Sequence, residues 1–309
     1  MRHSSQRPLV SIIIPSYNQG RFIRTTLESI LAQDYRPLEV VVVDGASSDE
    51  TLDVLHDYDC VAEIRWVSEP DDGVVDAVNK GFARARGELA AIQSSDDYYL
   101  PGAVSAGVAA LTSDEGLGFV FGDIMKVDAD GFELGRTSLA PYSLENVIAV
   151  RTWIPQPSTF FRLALARELG GWRESVPYAA DTDLWLRMAF RARASKLDCL
   201  MAARTMHEAQ RDQHGERILR DYNRMLDELE PLAQSGWRLR RAAAAGRLRM
   251  AARYGTSAGY WAGWRRQIRA LWLHPASFRD VDPMSLVPGW YPVRGKLDVW
   301  RRRLERERG

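Results

Sequence analysis

The stretch that decides the fold is Leu9-Val-Ser-Ile-Ile-Ile-Pro-Ser-Tyr-Asn-Gln-Gly20. Its apolar run is typical of a buried strand, and Pro15 ends the strand because proline cannot donate a backbone hydrogen bond. Residues 21–33 place apolar side chains at helical spacing and predict a helix. A second β-branched run, Leu38-Glu-Val-Val-Val-Val43, predicts the next strand. The chain therefore begins as strand, helix, strand.

The same alternation continues to about residue 97 and then changes. Ser47 or Ser48 can cap a helix, and further strands are predicted at 64–68 and 89–93 around a helix at 74–85. This alternation indicates an α/β fold with a parallel, doubly wound sheet. Later elements are a strand at 119–123, a hairpin turn at 128–131, helices at 163–169 and 182–193, and mostly helix from about 209.

Composition adds a division along the chain. The 309 residues are 46% hydrophobic and carry 41 basic and 41 acidic side chains, which predicts a well-filled core and disfavours a globally basic nucleic-acid binder. From Pro231 onward, however, the chain contains 17 arginine and lysine residues but only 5 acidic residues. We therefore predict a larger α/β domain at residues 1–235 and a basic helical extension at 236–309.

The predicted extension is also rich in tryptophan. It contains Trp237, Trp261, Trp264, Trp272, Trp290 and Trp300, interleaved with arginines. Basic helices with tryptophan suit an anionic membrane surface, where indole rings sit at the headgroup level. The alternative is that these tryptophans pack on the larger domain.

Cysteine content and hydropathy bear on the compartment. Cys60 and Cys199 are too few for a disulfide framework and form no CxxC pair. No apolar stretch suits a signal peptide, and none reaches the length of a membrane span. We expect a cytoplasmic protein whose extension offers a peripheral contact to the inner face of the cell membrane.

Polar loops follow four of the predicted strands. They are Pro15–Gly20, Asp44–Asp49, Glu69–Gly73 and Ser94–Asp97. Such residues are ordinary turn formers, but the carboxyl ends of parallel strands meet at one edge, where ligands bind. The adjacent carboxylates of Asp96 and Asp97 suit a hard divalent cation that shares substrate phosphates. The chain has neither GxGxxG nor GxxxxGK[ST], so a dinucleotide fold and a P-loop are unsupported.

Several motifs in order resemble one enzyme family. They are Ser11–Asn18, Val41–Thr51, Ser68–Gly81, Ser94–Asp97, Gln156–Arg162, Gly170–Trp172 and Asp181–Arg187. Over about residues 8 to 215 the chain resembles the inverting family 2 glycosyltransferases with the GT-A fold, especially bacterial polysaccharide and glycolipid enzymes. The resemblance implies a nucleotide-diphosphate sugar as donor, and a glycan or lipid-linked hydroxyl as acceptor.

The resemblance also implies roles for individual residues. Pro15, Ser16 and Tyr17 would form a floor under the base of the donor, and Asp44 would hydrogen-bond to the base. Asp71 would lie near the base or the ribose, and Asp96 would contact the ribose or the sugar. Asn79 and Lys80 would lie near the donor phosphates. Asp97 would hold Mg²⁺ or Mn²⁺, with His207 as a further ligand. Ser95 stands where a strict Asp-x-Asp motif has its first carboxylate.

The resemblance makes Asp181 the general base, with Asp183 in reserve. The family usually has an acidic residue before this position, where this chain has Ala180. Simple helix capping by Asp181 is the alternative. Two other functions stay open: a sugar-nucleotide-binding scaffold, and a nucleotidyltransferase of related fold. A nucleotidyltransferase usually has a basic glycine-rich loop, which Pro15–Gly20 lacks. Nucleic acid is not an expected partner.

Overall fold

The computed structural model describes residues 7–137, 139–207, 214–255 and 260–274. Their packing divides the chain into two compact units, one drawn from Met1–Lys126 and Ile154–Thr205, the other from Val127–Trp153 and Met206–Gly309. The strands are β1 Val10–Ser16, β2 Leu38–Asp44, β3 Ile64–Ser68, β4 Leu89–Ile92, β5 Tyr98–Tyr99, β6 Leu117–Asp128, β7 Glu133–Arg136, β8 Thr159–Arg162 and β9 Arg193–Met206. The helices are α1 Gly20–Leu31, α2 Thr51–His56, α3 Val74–Arg84, α4 Ala103–Ser113, α5 Leu144–Ile148, α6 Leu163–Glu168, α7 Ala180–Ala189, α8 Gly215–Asp227, α9 Glu230–Ala233, α10 Trp237–Tyr254 and α11 Tyr260–Leu273.

The first unit is built on a sheet with the strand order β3-β2-β1-β4-β8-β6-β9-β5. The first four strands in this order run parallel, with Ile12 of β1 opposite Val40 of β2 and Ala91 of β4. β8 pairs antiparallel with both β4 and β6, and β9 pairs antiparallel with β5. The predicted α/β fold is confirmed, and the parallel alternation covers its first half while antiparallel strands extend the sheet.

Continuous apolar runs form the parallel strands because both faces of the sheet are covered. Every residue of β1 and β2 is buried. On one face, α1 contributes Ile23, Leu27 and Ile30 to the same core cluster as alternate residues of β1. On β1 itself, Ile13 lies so near Gly81 of α3 that a Cβ at residue 81 would overlap the Ile13 side chain.

The structure corrects several sequence-based boundaries. α7 ends at Ala189, whereas the sequence predicted a helix as far as residue 193. β9, which was not predicted, begins at Arg193. α4 and β8 were also not predicted from the pattern. α2 begins at Thr51, and the Asp49 carboxylate, in place of the predicted Ser47 or Ser48, accepts from its first backbone N–H (3.0 Å). β9 lacks a run of β-branched residues, so its extended form depends on pairing with distant strands.

The second unit contains a hairpin and a group of helices. The Asp128 N–H donates to the Phe132 carbonyl (2.9 Å), which closes the predicted turn between β6 and β7. The Tyr222 hydroxyl of α8 donates to the Ile148 carbonyl of α5 (2.7 Å). Both groups lie where a Cβ on Gly246 of α10 would stand, so glycine permits this close packing. α8 and α10 flank residue 235, and the domain boundary predicted there stays a prediction.

α11 follows α10 in the second unit, and the Arg241 guanidinium of α10 donates to the Trp272 carbonyl (3.0 Å). Within the described ranges, no helix combines the length and the apolar character needed to cross a bilayer. Residues 208–213 and 275–309 lie outside the described residues, and with them Trp290, Trp300 and the last part of the predicted extension.

Candidate functional site

Two loops at the carboxyl ends of β1 and β2 are joined by hydrogen bonds. The backbone N–H of Asn18 donates to the Ser47 hydroxyl (2.7 Å), and the backbone N–H of Gly20 donates to the Asp49 carboxylate (3.0 Å). In return, the Asn18 side-chain oxygen accepts from the Ser48 N–H (2.9 Å). Asn18 has φ +52°, a conformation that asparagine tolerates better than most residues. The β1 and β2 loops therefore form one rigid edge.

The Asp49 carboxylate belongs to this edge and is held in its charged form. Burial by itself would raise the pKa of Asp49, but hydrogen bonds from Thr51 and from the Gly20 N–H bring it below its ordinary value. Because Gly20 begins α1, the carboxylate also stabilises the positive end of that helix dipole.

Asp44 lies at the end of β2 and is fully buried. Its carboxylate accepts from the Ser47 N–H (2.9 Å), the Ser47 hydroxyl and the Ser68 hydroxyl of β3 (2.7 Å). In this arrangement Asp44 organises the β2–α2 loop and ties it to β3. Its predicted contact with a base stays a prediction.

The end of β1 carries the predicted floor, Pro15, Ser16 and Tyr17. Ser16 pairs with Asp44 across the strands, and Tyr17 is 60% exposed. The Ser16 hydroxyl is buried and has no hydrogen-bond partner among the described residues. A buried hydroxyl without a partner costs free energy, so its presence at this edge indicates a group that a ligand or water satisfies.

Asp71, in the loop after β3, lies directly against the end of β2. A Cβ built on Gly45 would stand 2.6 Å from the Asp71 Oδ2, so only glycine leaves room for this carboxylate. The Asp71 Oδ1 accepts from the Gly73 N–H (2.9 Å). The structure therefore brings Asp71 to the same edge as Asp44.

Asn79 and Lys80 of α3 are both engaged within the protein. The Asn79 amide donates to the Trp172 carbonyl and accepts from the Trp172 N–H, each at 2.9 Å. Lys80 pairs with Asp76 (2.9 Å) and Glu69 (3.4 Å), and the hydrogen bond that Lys80 donates to Asp76 is the main cause that raises the pKa of Lys80. Asn79 thus positions the segment that leads toward α7, and a phosphate contact by either residue stays a prediction.

Asp96 and Asp97 follow β4, which lies beside β1. The Thr26 hydroxyl of α1 donates to the backbone carbonyls of Ser95 (2.9 Å) and Asp97 (2.7 Å). The buried Asp97 carboxylate accepts from the Thr205 N–H near the end of β9 (2.9 Å). α1 and β9 therefore hold this loop from two sides.

Asp96 and Asp97 are the candidate metal ligands of this loop. The described residues contain no cluster of three or more His, Cys, Asp or Glu side chains that could hold a metal by themselves. Mg²⁺ is typically bound by one or two carboxylates plus substrate phosphates and water. Asp96 and Asp97 fit a cation of that kind. His207 comes just after β9, in the second unit, and its role as a ligand stays a prediction.

The two acidic residues of α7 have different surroundings. Asp183 is fully buried between Arg173 (Nε, 2.9 Å) and Arg187 (Nε, 2.8 Å). Arg187 also donates to the Leu169 and Gly171 carbonyls, each at 2.6 Å. The ion pairs of Asp183 therefore hold α7 against the preceding loop.

Asp181 is partly exposed, and its Oδ1 accepts from the N–H of Thr182 (2.6 Å). The residue that precedes α7 is Ala179, and no side chain caps this helix. Asp181 thus lies inside the first turn, and the geometry favours it over Asp183 as a group that can exchange a proton with a substrate.

Sequence reasoning missed several residues that shape this site. Thr26 and Thr205 position the acidic loop, and Arg173 and Arg187 hold α7. The Trp172 indole N–H is buried with no hydrogen-bond partner among the described residues. Arg187 and Trp172 lie within motifs that the sequence analysis singled out, but their contacts were not predicted. Thr26 and Thr205 gave no signal, because their contacts with the acidic loop join residues far apart in the chain.

Comparison with known proteins gives a consistent result. Residues 11–171 match the family model described as glycosyl transferase family 2. An uncharacterised glycosyltransferase of Mycobacterium tuberculosis is 31% identical over 196 residues, which cover 63% of this chain and 74% of that protein. Hyaluronan synthase of Pasteurella multocida is 28% identical over 207 residues, 66% of this chain and only 21% of the synthase.

Two solved structures share the fold. Staphylococcus aureus TarS 1-349 in complex with UDP-GlcNAc has a TM-score of 0.64 at 19% identity, covering 85% of this chain and 79% of TarS. The Pyrobaculum calidifontis mannosyltransferase PcManGT with GDP-Man and Mn²⁺ has a TM-score of 0.63 at 20% identity, covering 90% and 77%. The family model spans more than half of the chain, and the sheet edge carries the family's motifs in order: this chain belongs to glycosyl transferase family 2 and is a glycosyltransferase with the GT-A fold.

Proposed function

We propose that this glycosyltransferase is an inverting, metal-dependent enzyme of surface polysaccharide or glycolipid synthesis. It would move a sugar from a nucleoside diphosphate to a hydroxyl of a glycan or lipid-linked acceptor. The observation that carries the proposal is the edge of the parallel strands, where the Ser16 hydroxyl is buried without a partner and the acidic loop of Asp96 and Asp97 is held from two sides.

The donor would lie along this edge. Pro15, Ser16 and Tyr17 would support the base, while Asp71 would contact the base or ribose. The complexes of TarS with UDP-GlcNAc and of PcManGT with GDP-Man support a nucleotide sugar as donor. The strand pairing that brings Ser16 beside Asp44 gives this part of the site its rigidity.

A divalent cation, Mg²⁺ or Mn²⁺, would supply positive charge to the leaving diphosphate when it is bound. Asp97 would hold it, with Asp96 at the sugar or ribose and His207 as a further ligand. The Thr205 N–H and the Thr26 hydroxyl would fix the loop that carries these carboxylates, so that little reorganisation accompanies binding.

Asp181 would act as the general base. An acceptor hydroxyl is a poor nucleophile at neutral pH, and a positioned carboxylate takes its proton as the oxygen attacks the anomeric carbon. The bond from the anomeric carbon to the diphosphate oxygen breaks on the opposite face, so one displacement inverts the centre. Asp183 would keep α7 in place through its two arginines.

A hydrolysis and transfer assay with a panel of nucleotide sugars tests this proposal against its alternatives. We expect slow release of nucleoside diphosphate from one donor, accelerated by an acceptor, with inverted stereochemistry in the product. A scaffold would bind a donor without turnover. A nucleotidyltransferase would instead join a sugar 1-phosphate to a nucleoside triphosphate and release pyrophosphate.

The metal role predicts a loss of activity when Asp97 is changed. Asp97→Asn keeps an oxygen that can accept from the Thr205 N–H but removes the negative charge, so kcat/KM should fall at least ~10²-fold, about 2.7 kcal/mol in barrier. Mn²⁺ binding followed by electron paramagnetic resonance should weaken in parallel, with the purified wild-type protein as reference. Full turnover in excess EDTA would exclude the metal role.

The contact between Gly45 and Asp71 gives a second prediction for this site. Gly45→Ala places a methyl group where the Asp71 carboxylate lies, and the flexible end of that side chain must move away. If Asp71 binds the donor, nucleotide affinity should drop about tenfold, the value of a hydrogen bond to a charged group. Calorimetry on Gly45→Ala, Asp71→Asn and the double variant checks this, and additive losses would contradict a shared cause.

We also propose that residues from about 236 dock on the anionic inner face of the cell membrane, where a lipid-linked acceptor is presented. The support is the excess of 17 basic over 5 acidic side chains from Pro231 onward and the tryptophans among them. Flotation of the full-length protein with anionic vesicles tests this, and no binding at low salt would contradict it.

A further inference from the structure

The helices α10 and α11 carry basic side chains without any acidic ones. α10 contains six arginines and α11 three, namely Arg238, Arg240, Arg241, Arg247, Arg249, Arg253, Arg265, Arg266 and Arg269. Surface helices ordinarily mix both signs of charge, because like charges four residues apart are destabilising. A charge pattern of one sign therefore points to a partner that carries the opposite sign.

Some of these arginines are used inside the second unit. Arg247 pairs with Asp227 (2.6 Å), and Arg249 donates to the Ala149 carbonyl. Others lie on the surface: Arg238, Arg265 and Arg269 are exposed. The exposed arginines are thus available to an external ligand.

Two tryptophans lie on the same surface and are largely solvent-exposed. Trp237, at the start of α10, is 59% exposed, and Trp272, near the end of α11, is 73% exposed. The Arg238 and Arg241 guanidinium groups lie 5.7 and 5.5 Å from the centre of the Trp237 ring. The hydrogen bond from Arg241 to the Trp272 carbonyl brings the two helix ends together (3.0 Å).

On α11 the two exposed arginines and Trp272 share one side, and Trp264 is a further exposed residue of this helix. Arg265, Arg269 and Trp272 follow at intervals of four and three residues, which places them on one face of a helix. Exposed apolar surface that is rimmed by polar residues is typical of interaction sites. Trp237 and Trp272 are exposed among the described residues, and the alternative in which the tryptophans of the extension pack on the rest of the chain stays a prediction.

We propose that Trp237, Arg238, Arg269 and Trp272 form a docking face that binds anionic phospholipid headgroups. The inference rests on the proposed membrane docking of the extension and names the surface responsible. Indole rings settle at the headgroup level, where their apolar bodies and polar N–H groups are both satisfied. Arginine attracts the lipid phosphate and forms charge-assisted hydrogen bonds with it. Both kinds of group are present here on two adjoining helix ends.

The test is co-sedimentation of the full-length protein with lipid vesicles. Phosphatidylcholine vesicles that contain about 30% phosphatidylglycerol are compared with vesicles of phosphatidylcholine alone. Arg238→Gln with Arg269→Gln removes two positive charges from exposed positions, and vesicle affinity should fall roughly 30-fold. Trp237→Ala with Trp272→Ala should cost about tenfold or more. The matched control, Arg24→Gln with Arg193→Gln, removes the same charge from exposed positions of the first unit and should bind nearly as the wild type does.

The outcomes separate the docking face from the broader proposals. If the wild type binds and both test pairs bind equally well, this face is wrong while membrane docking stands. If the wild type ignores anionic vesicles, docking itself is wrong, and donor hydrolysis in the same preparation still reports on the enzyme. Loss of a dimer in the arginine pair, seen by light scattering, would assign the face to self-association. Displacement from vesicles by an oligonucleotide at equal phosphate concentration would assign it to nucleic acid.

Discussion

Asp181→Asn is expected to abolish sugar transfer while leaving the donor bound. The amide keeps the shape of the carboxylate and can still accept from the Thr182 N–H, but it cannot take a proton from the acceptor. General base catalysis is worth about 10²–10⁴-fold, so kcat should fall within that range. Single-turnover kinetics measure the loss, and calorimetry with the nucleotide should give near wild-type affinity.

The thermal midpoint is the control for Asp181→Asn. Asp181 is partly exposed, and the amide has the same shape as the carboxylate, so the midpoint should stay close to that of the wild type. A variant that turns over at the wild-type rate would contradict the assignment. So would a wild-type rate profile that stays flat from acid to neutral pH, because a base must lose its proton to act.

Asp183→Ala is expected to have its main effect on stability. The change leaves two arginines near the interior without their carboxylate, since Asp183 is fully buried and the Arg187 side chain is only 11% exposed. Burial lowers the pKa of Arg187, and Asp183 opposes that effect. Breaking a buried pair by removing one partner typically costs about 3–5 kcal/mol, so the free energy of unfolding should fall by that amount.

Denaturant unfolding followed by circular dichroism measures the effect of Asp183→Ala. Asp198→Ala is the matched control, because it removes an aspartate whose side chain is 98% exposed and whose ion pair with Lys196 spans 3.4 Å. Its unfolding midpoint should not move. A fully stable Asp183→Ala that has lost only its activity would contradict the structural role and reopen the choice between Asp181 and Asp183.

Local sequence determined the parallel half of the fold. β1 and β2 are apolar runs that only a strand buried on both faces explains, and the helix between them has one apolar stripe. The order of polar loops after these strands then predicted which residues meet, because parallel strands share one carboxyl edge. Ser16, Asp44 and Asp71 are indeed found together at that edge.

Pairing between distant segments decided the second half. Residues 193–206 have no strong preference for a strand, and they become β9 because β5 and other strands offer hydrogen bonds along their length. The consequence reaches the site, since Thr205 on β9 donates to Asp97. Such a contact spans more than a hundred residues of chain, and no local periodicity carries that information.

The sequence by itself determined the family, the α/β fold and the edge at which the acidic loops gather. Only the tertiary structure decided which carboxylates are held in buried ion pairs and which surface is exposed to solvent. Asp183 and Asp181 are two residues apart and chemically identical, but only Asp183 is fully buried, between Arg173 of the preceding loop and Arg187 of the same helix. The physical reason is that strand and helix patterns arise from neighbouring residues, whereas burial and the geometry of ion pairs depend on how the folded segments pack together.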